Sequence, residues 1–371
     1  MIPIYIPYLS KYKESALMAI STNWISNYGI FVKNSEEKLK SILNVKHCIL
    51  MNNGTAATHC LLLALKYKHP NIKKIYIPNN VFVAPWNCVL MEYQKENIEV
   101  MKINPLTLNM DTSEEYIKGL EKNSAVLIVH NLGNIVNVPR LKRIRPDIIF
   151  IEDNCEGNFG KYEDIYSGTS ESSLCSAVSF YANKTLTTGE GGAFFTNDDK
   201  VYEYIKSIYS HGMTKKRYIH DKLAYNYRMT NVQAAFLYDQ LNDLDHILTL
   251  KENIFKNYDK LLEKALKEGK IIKLENEENT IGATWMYCIV IHGLDFKSIE
   301  HYMNEKLIQV RPFFHDIRKH DHLKDIKVEY PEIINRGIML PSYPGLKEEQ
   351  QEYIINCLNE YLKLLGFYSL I

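Results

Sequence analysis

The 371-residue sequence predicts an α/β fold, a large domain built on a mostly parallel sheet followed by a smaller α+β domain. Two observations lead there. Short apolar runs alternate with helical patterns through the first half of the chain, and from about Thr230 a long helical region replaces that alternation. Strands that recur with helices between them form β-α units, whose strands pair in parallel.

The elements follow in order. "HCILMNN" leads into "GTAATHCLLLALKY", "KIYIPNN" into "VFVAPWNCVLMEYQ", "IEVMKIN" into an acidic helical stretch, and "AVLIVHN" into "LGNIVNVPRLKRI". The strand-like "DIIFIEDN", "SAVSFY" and "GGAFFTN" come next. A helical region over 231–269 carries the chain out of the first domain, and we expect it to be broken once. Beyond it lie strand-like "TWMYCIVIHG" (284–293), helical "DFKSIEHYMNEKL" (295–307), strand-like "IQVRPFF" (308–314) and a final helix over 346–366. The boundary between domains 1–240 and 241–371 is placed inside the helical connection.

Composition excludes several functions. Lys+Arg and Asp+Glu both number 44, so no net field favours nucleic acid or an anionic membrane. The basic run Lys215-Lys216-Arg217 is short and reads as a solvated loop. Seven scattered cysteines without a C-x-x-C pair argue against a disulfide framework or a zinc site. The N-terminus lacks the pattern of a signal peptide, and no apolar run reaches the ~20 residues of a membrane span. The expectation is a reduced, cytoplasmic protein. His315, His320 and His322 stand close together without an acidic companion set, so no metal is expected.

Ligands of open parallel sheets sit at the carboxyl ends of the strands, and three such ends carry reactive residues. "CILMNNGTAAT" puts Gly54, Thr55 and Ala56 at a helix start, where free N–H groups and the dipole can hold phosphate. "DIIFIEDNCE" ends an apolar strand at Asp153, a costly place for a carboxylate without a cationic partner. "SFYANKTLTTGEGGAFFTN" brings Ser179 and Lys184 to the start of a glycine-rich loop. Each has an ordinary structural reading, as an N-cap, a satisfied cap and a solvated strand end. One ligand uses all three. Pyridoxal phosphate (PLP) requires a phosphate cup, an acid for its ring nitrogen and a lysine for the Schiff base. A glycine loop beside the lysine lets backbone approach the cofactor closely.

At this point the sequence resembles a known family. "NNGTAATHCLLLAL", "IYIPNNVFVAPWN", "VHNLGN", "IEDNCEGNFG", "SFYANKTLTTGEGGAFFTND", "YNYRMTNVQAAFLYDQL", "LIQVRPFFHDI" and "IMLPSYPGLKEEQ" are similar, in order, to motifs of the DegT-type nucleotide-sugar aminotransferases. The resemblance is greatest to its sugar 4-aminotransferases. It implies the aspartate-aminotransferase-like PLP fold, fold type I, and a homodimer with active sites at the subunit interface. By position it makes Lys184 the Schiff-base lysine and proton shuttle and Asp153 the partner of the pyridinium nitrogen. Phe82 would stack on the ring, and Gly54, Thr55 and Ser179 would hold the phosphate with Asn226 from the other subunit. Glu156 stands where many members have glutamine or histidine near the ring oxygen. A glutamate would repel a phenolate unless protonated or paired.

The resemblance implies transfer of an amino group from glutamate to a nucleoside-diphosphate 4-keto-6-deoxy sugar. "NWISNYGIFV" is similar to a stretch of members that aminate C4, which makes Trp24 and Tyr28 substrate candidates, with core packing as the alternative. Arg228, Arg311 and His315 are candidates for the diphosphate. Amination at C3 and a non-catalytic scaffold are the rival readings. Lys184 argues against a dehydratase, which carries histidine at that position.

Overall fold

The polar residues that end the apolar runs of this sequence fall at one edge of one sheet. The computed structural model describes residues 1–291, 293–294, 296–328 and 331–366. Its first strands are β1 (His47–Met51), β2 (Lys74–Pro78), β3 (Ile98–Met101), β4 (Ser124–Val129) and β5 (Ile149–Asp153). A ribbon of β6 (Lys161–Tyr162) and β7 (Ile165–Tyr166) follows, then β8 (Ser176–Ser179) and β9 (Gly192–Thr196). The large sheet has the order β1-β9-β8-β5-β4-β2-β3. Every pair between β8 and β3 is parallel, whereas β9 runs antiparallel to both neighbours. No crossover helix separates β8 from β9, so the chain can only return against itself.

Side chains alternate between two faces along these strands, which is why the runs are apolar throughout. Ile49, Met51, Ile77, Leu127, Ile151 and Phe194 join one core with the helices Gly54–Lys68, Val83–Glu92 and Asp199–Ile208. Their neighbours Cys48, Leu50, Val178 and Phe195 enter a second core with the helices Ile30–Leu43 and Asn231–Asn242. Tyr76, Val126, Ile128 and Phe150 enter a third, with the helix Val138–Ile144. Burial on both faces is what a parallel sheet requires.

The helical region after Thr230 is three helices, Asn231–Asn242, Leu244–Leu261 and Glu263–Lys267. They lead into β10 (Ile271–Lys273), β11 (Thr280–Ile281), β12 (Tyr287–Ile291), β13 (Arg311–Pro312) and β14 (Gly337–Leu340). Four of these form an antiparallel sheet in the order β10-β12-β14-β13, and β11 joins the ribbon β6-β7 instead. The helices Phe296–Glu305 and Glu348–Leu364 cover the four-stranded sheet around a separate core. The strand expected over 308–314 shrinks to β13 and a bridge between Ile308 and Ile2. Within the expected strand 284–293 and helix 295–307, His292 and Asp295 lie outside the described residues.

Candidate active site

The end of β1 prepares the first part of the site. Asn53 is extended, with φ −163°, and its side chain accepts the Ala56 amide at 2.8 Å. This N-cap fixes the start of the helix and leaves Gly54 and Thr55 ahead of the intrahelical ladder. The Ala56 amide is therefore not free for a ligand, which corrects one sequence expectation. Gly54 has a specific reason to be glycine. A Cβ there would lie 2.7 Å from Cβ and 2.9 Å from Oγ of Ser179. The bare backbone lets the helix start and the end of β8 meet.

At the end of β5 two consecutive acids point to opposite faces. Asp153 lines the cavity; its Oδ2 accepts from Thr58 Oγ1 at 2.8 Å and its Oδ1 from the Cys155 amide at 3.0 Å. Glu152, fully buried on the other side, accepts from His130 Nε2 at 2.9 Å, Gly168 N at 3.0 Å, Tyr162 Oη at 3.2 Å and Ser173 Oγ. His130 Nδ1 itself accepts the Val136 amide at 3.1 Å, so its proton sits on Nε2. Four donors satisfy the Glu152 carboxylate.

Beyond Ser179 the chain makes a closed loop. The Phe180 amide donates to the Gly191 carbonyl at 2.8 Å and the Thr188 amide to the Phe180 carbonyl at 2.9 Å. Gln240 spans the base, accepting the Thr187 amide and donating to the Thr187 carbonyl. Gly191 permits this closure, because a Cβ would lie 2.1 Å from Thr188 Oγ1. Lys184 rides on the loop with its side chain 13% exposed. Its Nζ is 4.2 Å from the centre of the Trp285 ring and 3.7 Å from Glu156 Oε1. Tyr5 Oη donates to the Lys184 carbonyl at 2.7 Å, and Trp285 Nε1 to the Asn183 carbonyl at 2.9 Å. Burial pushes the Glu156 carboxyl up to about 7, while Lys184 and the Leu132 amide, 2.8 Å from Oε2, draw it down.

These groups line one cavity of about 800 Å³. It brings together Gly54, Thr55, Phe82, Asp153, Glu156, Ser179, Lys184, Arg311 and His315. Burial, Lys319 and His320 hold the His315 imidazole below its ordinary value. The other predicted residues fall elsewhere. Asn226 is exposed, and Arg228 donates to Ser210 Oγ at 2.9 Å and meets His211 Nε2 at 3.2 Å. Trp24 and Tyr28 are 61% and 70% exposed, which removes core packing as their explanation. The loop bearing them is pinned by Asn231, which donates to the Trp24 carbonyl and accepts the Phe31 amide. Sequence reading missed the wall supplied by the second sheet, where Trp285 and Phe314 stack with centroids 6.5 Å apart and Phe82 leans on Phe314 at 5.8 Å. Asn80, at the end of β2, donates to the carbonyls of Phe314 and His315 and holds that wall in place. Only the side-chain types at these positions could have signalled them, and aromatic residues mark many cores.

Comparison with known proteins decides what the cavity belongs to. The model of the DegT/DnrJ/EryC1/StrS aminotransferase family matches residues 10–359. The chain belongs to this family. GDP-perosamine synthase of Escherichia coli O157:H7 is 30% identical over 369 residues, 97% of this chain and 98% of that protein. Among solved structures, the aminotransferase PseC of Helicobacter pylori, involved in the biosynthesis of pseudoaminic acid, superposes with a TM-score of 0.85 at 22% identity, over 97% of this chain and 99% of that one. The E. coli GDP-4-keto-6-deoxy-D-mannose-3-dehydratase with bound hydrated PLP gives 0.84 at 20% identity, over 96% and 99%. The fold is that of the PLP-dependent sugar aminotransferases, and this chain is a PLP-dependent transaminase.

The cavity fits that cofactor on its own chemistry. It offers an amine, a carboxylate on an adjoining strand end, and helix-start amides beside a hydroxyl in a cradle that one added methyl would fill. Gly54→Ala should push the helix start away from the end of β8, costing about 1–3 kcal/mol of stability and loosening cofactor retention by roughly tenfold. Thermal melts and equilibrium dialysis of the variant check this; wild-type values in both would show that the cradle does not bind.

Proposed function

We propose that this protein transfers an amino group from glutamate to a nucleoside-diphosphate 4-keto-6-deoxy sugar, giving the 4-amino-4,6-dideoxy sugar nucleotide. The observation that carries the reading is the gathering of Lys184, Asp153 and the Gly54–Ser179 cradle around one cavity. Near-full-length similarity to a GDP-perosamine synthase supports the substrate class and puts a guanosine nucleotide first among the candidates.

When bound, PLP supplies a carbonyl carbon that bonds amines and a ring that takes up the electron pair freed at the amino carbon. The residues around it divide the remaining work. Gly54 and Thr55 amides with Ser179 Oγ would hold the phosphate at the helix start. Asp153 would pair with the ring nitrogen and keep its proton there. Phe82 would lie against the ring face. Lys184 Nζ would hold the cofactor and later carry the proton to and from the amino carbon. A Glu156 carboxyl poised at about 7 can present a proton to the ring oxygen instead of repelling it. Trp285, its ring 4.2 Å from Lys184 Nζ, and Phe314 stacked on it would limit water on that side of the cavity. Arg311 and His315 at the mouth suit a diphosphate.

The proposal includes a homodimer with the two sites completed across the interface. Trp24, Ile25, Tyr28 and Ile30, with Leu17, Met18 and Ile20, are all more than half exposed, a concentration of bare apolar side chains within residues 17–30 that a second copy would cover. Asn226 of the partner subunit would reach the phosphate, an uncharged donor that leaves no unpaired charge at the interface. The chain divides at about residue 240, where the helix Asn231–Asn242 gives way to Leu244–Leu261. Seven free cysteines, six of them buried, suit the reducing cytoplasm.

Glutamate with a panel of GDP-, dTDP- and UDP-linked 4-keto-6-deoxy sugars should yield the amino sugar from at least one, read by mass spectrometry with the amine position fixed by NMR. Conversion of none, or amination only at C3, sinks the substrate assignment. For the shared site, Lys184→Ala and Asn226→Asp homodimers should each be impaired, since an aspartate repels phosphate. Mixing them should restore part of the activity, because one site of each mixed dimer carries neither lesion. No recovery after verified subunit exchange contradicts the shared site.

A further inference from the structure

Lys251, in the middle of the helix Leu244–Leu261, is fully buried. Its Nζ donates to the Trp285 carbonyl at 2.7 Å and to the Ser342 carbonyl, and the ring centres of Tyr5 and Phe255 lie 5.7 Å away. Among the described residues no carboxylate is recorded as its ion-pair partner, and burial alone lowers the ammonium to about 7. Such a residue is expensive, since an apolar side chain of similar volume would fill the place without burying a charge. A plain cross-link between backbone segments is the ordinary explanation.

What Lys251 touches goes further than a cross-link. Trp285 places its ring 4.2 Å from Lys184 Nζ and bonds the neighbouring Asn183 carbonyl. Tyr5 bonds the Lys184 carbonyl itself at 2.7 Å. One of these residues grips the head of Lys184 and the other its backbone, and both meet the same buried Nζ. The Ser342 carbonyl completes the anchor from a turn that is itself fixed, since Ser342 Oγ accepts the Tyr287 amide at 2.9 Å and Tyr258 Oη donates to the Pro341 carbonyl.

We propose that Lys251 is a positioning residue for the transamination, fixing Trp285 and Tyr5 and through them the placement of the Lys184 amine. The proposal rests on Lys184 being the lysine that bonds the cofactor. The side chain acts from behind the cavity wall and touches neither cofactor nor substrate. A neutral amine has two N–H donors for two carbonyls, and an ammonium adds a third that the Tyr5 and Phe255 faces can receive. The anchor therefore survives a change of protonation. Losing it would leave two carbonyls unsatisfied and the Trp285 segment free to shift, and a shift of about 1 Å at a reacting group can cost 10²-fold in rate.

The test uses cofactor-loaded Lys251→Met, with Tyr5→Phe and the double variant. Lys251→Met should lower kcat by about 10²-fold while KM for the sugar nucleotide stays within about threefold. The pH midpoint of the visible band from the lysine-bound cofactor should shift by about half a unit or more. The double variant should lose no more than the larger single loss, because both changes act on one path. Should Lys251→Met fail to fold, Tyr5→Phe alone must move the band midpoint. A wild-type midpoint and kcat in Lys251→Met, or losses that multiply in the double variant, overturn the proposal. A wild-type enzyme with no lysine-linked band sinks the reading of Lys184 itself and this proposal with it.

Discussion

The site depends on a loop that closes on its own beginning. The pairing of Phe180 with Gly191 and Thr188 makes residues 180–191 a ring of chain standing on the edge of the sheet, with Gln240 across its base. A lysine side chain has four flexible bonds and about 2 kcal/mol of rotamer entropy to lose. Held on an open loop, its amine would sample a wide volume. On a closed one, with Tyr5 on its carbonyl and Trp285 over its head, the amine is confined before any ligand arrives.

The acids are placed by a different constraint, the strand itself. Strand periodicity sends Glu152 and Asp153 to opposite sides, and the protein treats the two sides differently. On the closed side Glu152 receives four donors and serves the structure. On the open side Asp153 receives two, from Thr58 and Cys155, and keeps acceptor capacity toward the cavity. Glu156 stands between, bonded to one backbone amide and loosely to Lys184, and burial leaves it near the point of changing charge. Three carboxyls within five residues thus take different parts because their surroundings differ.

Much of this was legible in the sequence where the signal is local. Apolar runs gave the strands of the large sheet, and the polar residues after them, Gly54, Asp153, Ser179 and Lys184, face a single cavity because parallel strands end on one edge. Interactions between distant segments left no such mark. Trp285 and Phe314 read as ordinary aromatic residues of the second unit, and Lys251 as one more lysine on an amphipathic helix. Periodicity tells which face is buried but not what lies against it. The antiparallel course of β9 was hidden for a similar reason, since strand patterns are alike in either direction. The N-cap reading of Asn-Gly-Thr was open from the sequence, but that Asn53 takes the Ala56 amide in particular shows only in the folded chain.

The central claim is that Lys184, and no other of the chain's lysines, holds the cofactor in a cavity built from three strand ends and an aromatic wall. Borohydride reduction of the cofactor-loaded protein, followed by peptide mapping, tests it most directly. The account predicts one reduced adduct, on the peptide containing Lys184, and its disappearance in Lys184→Ala. An adduct on another lysine, or a cofactor that no reduction fixes to the chain, would contradict it.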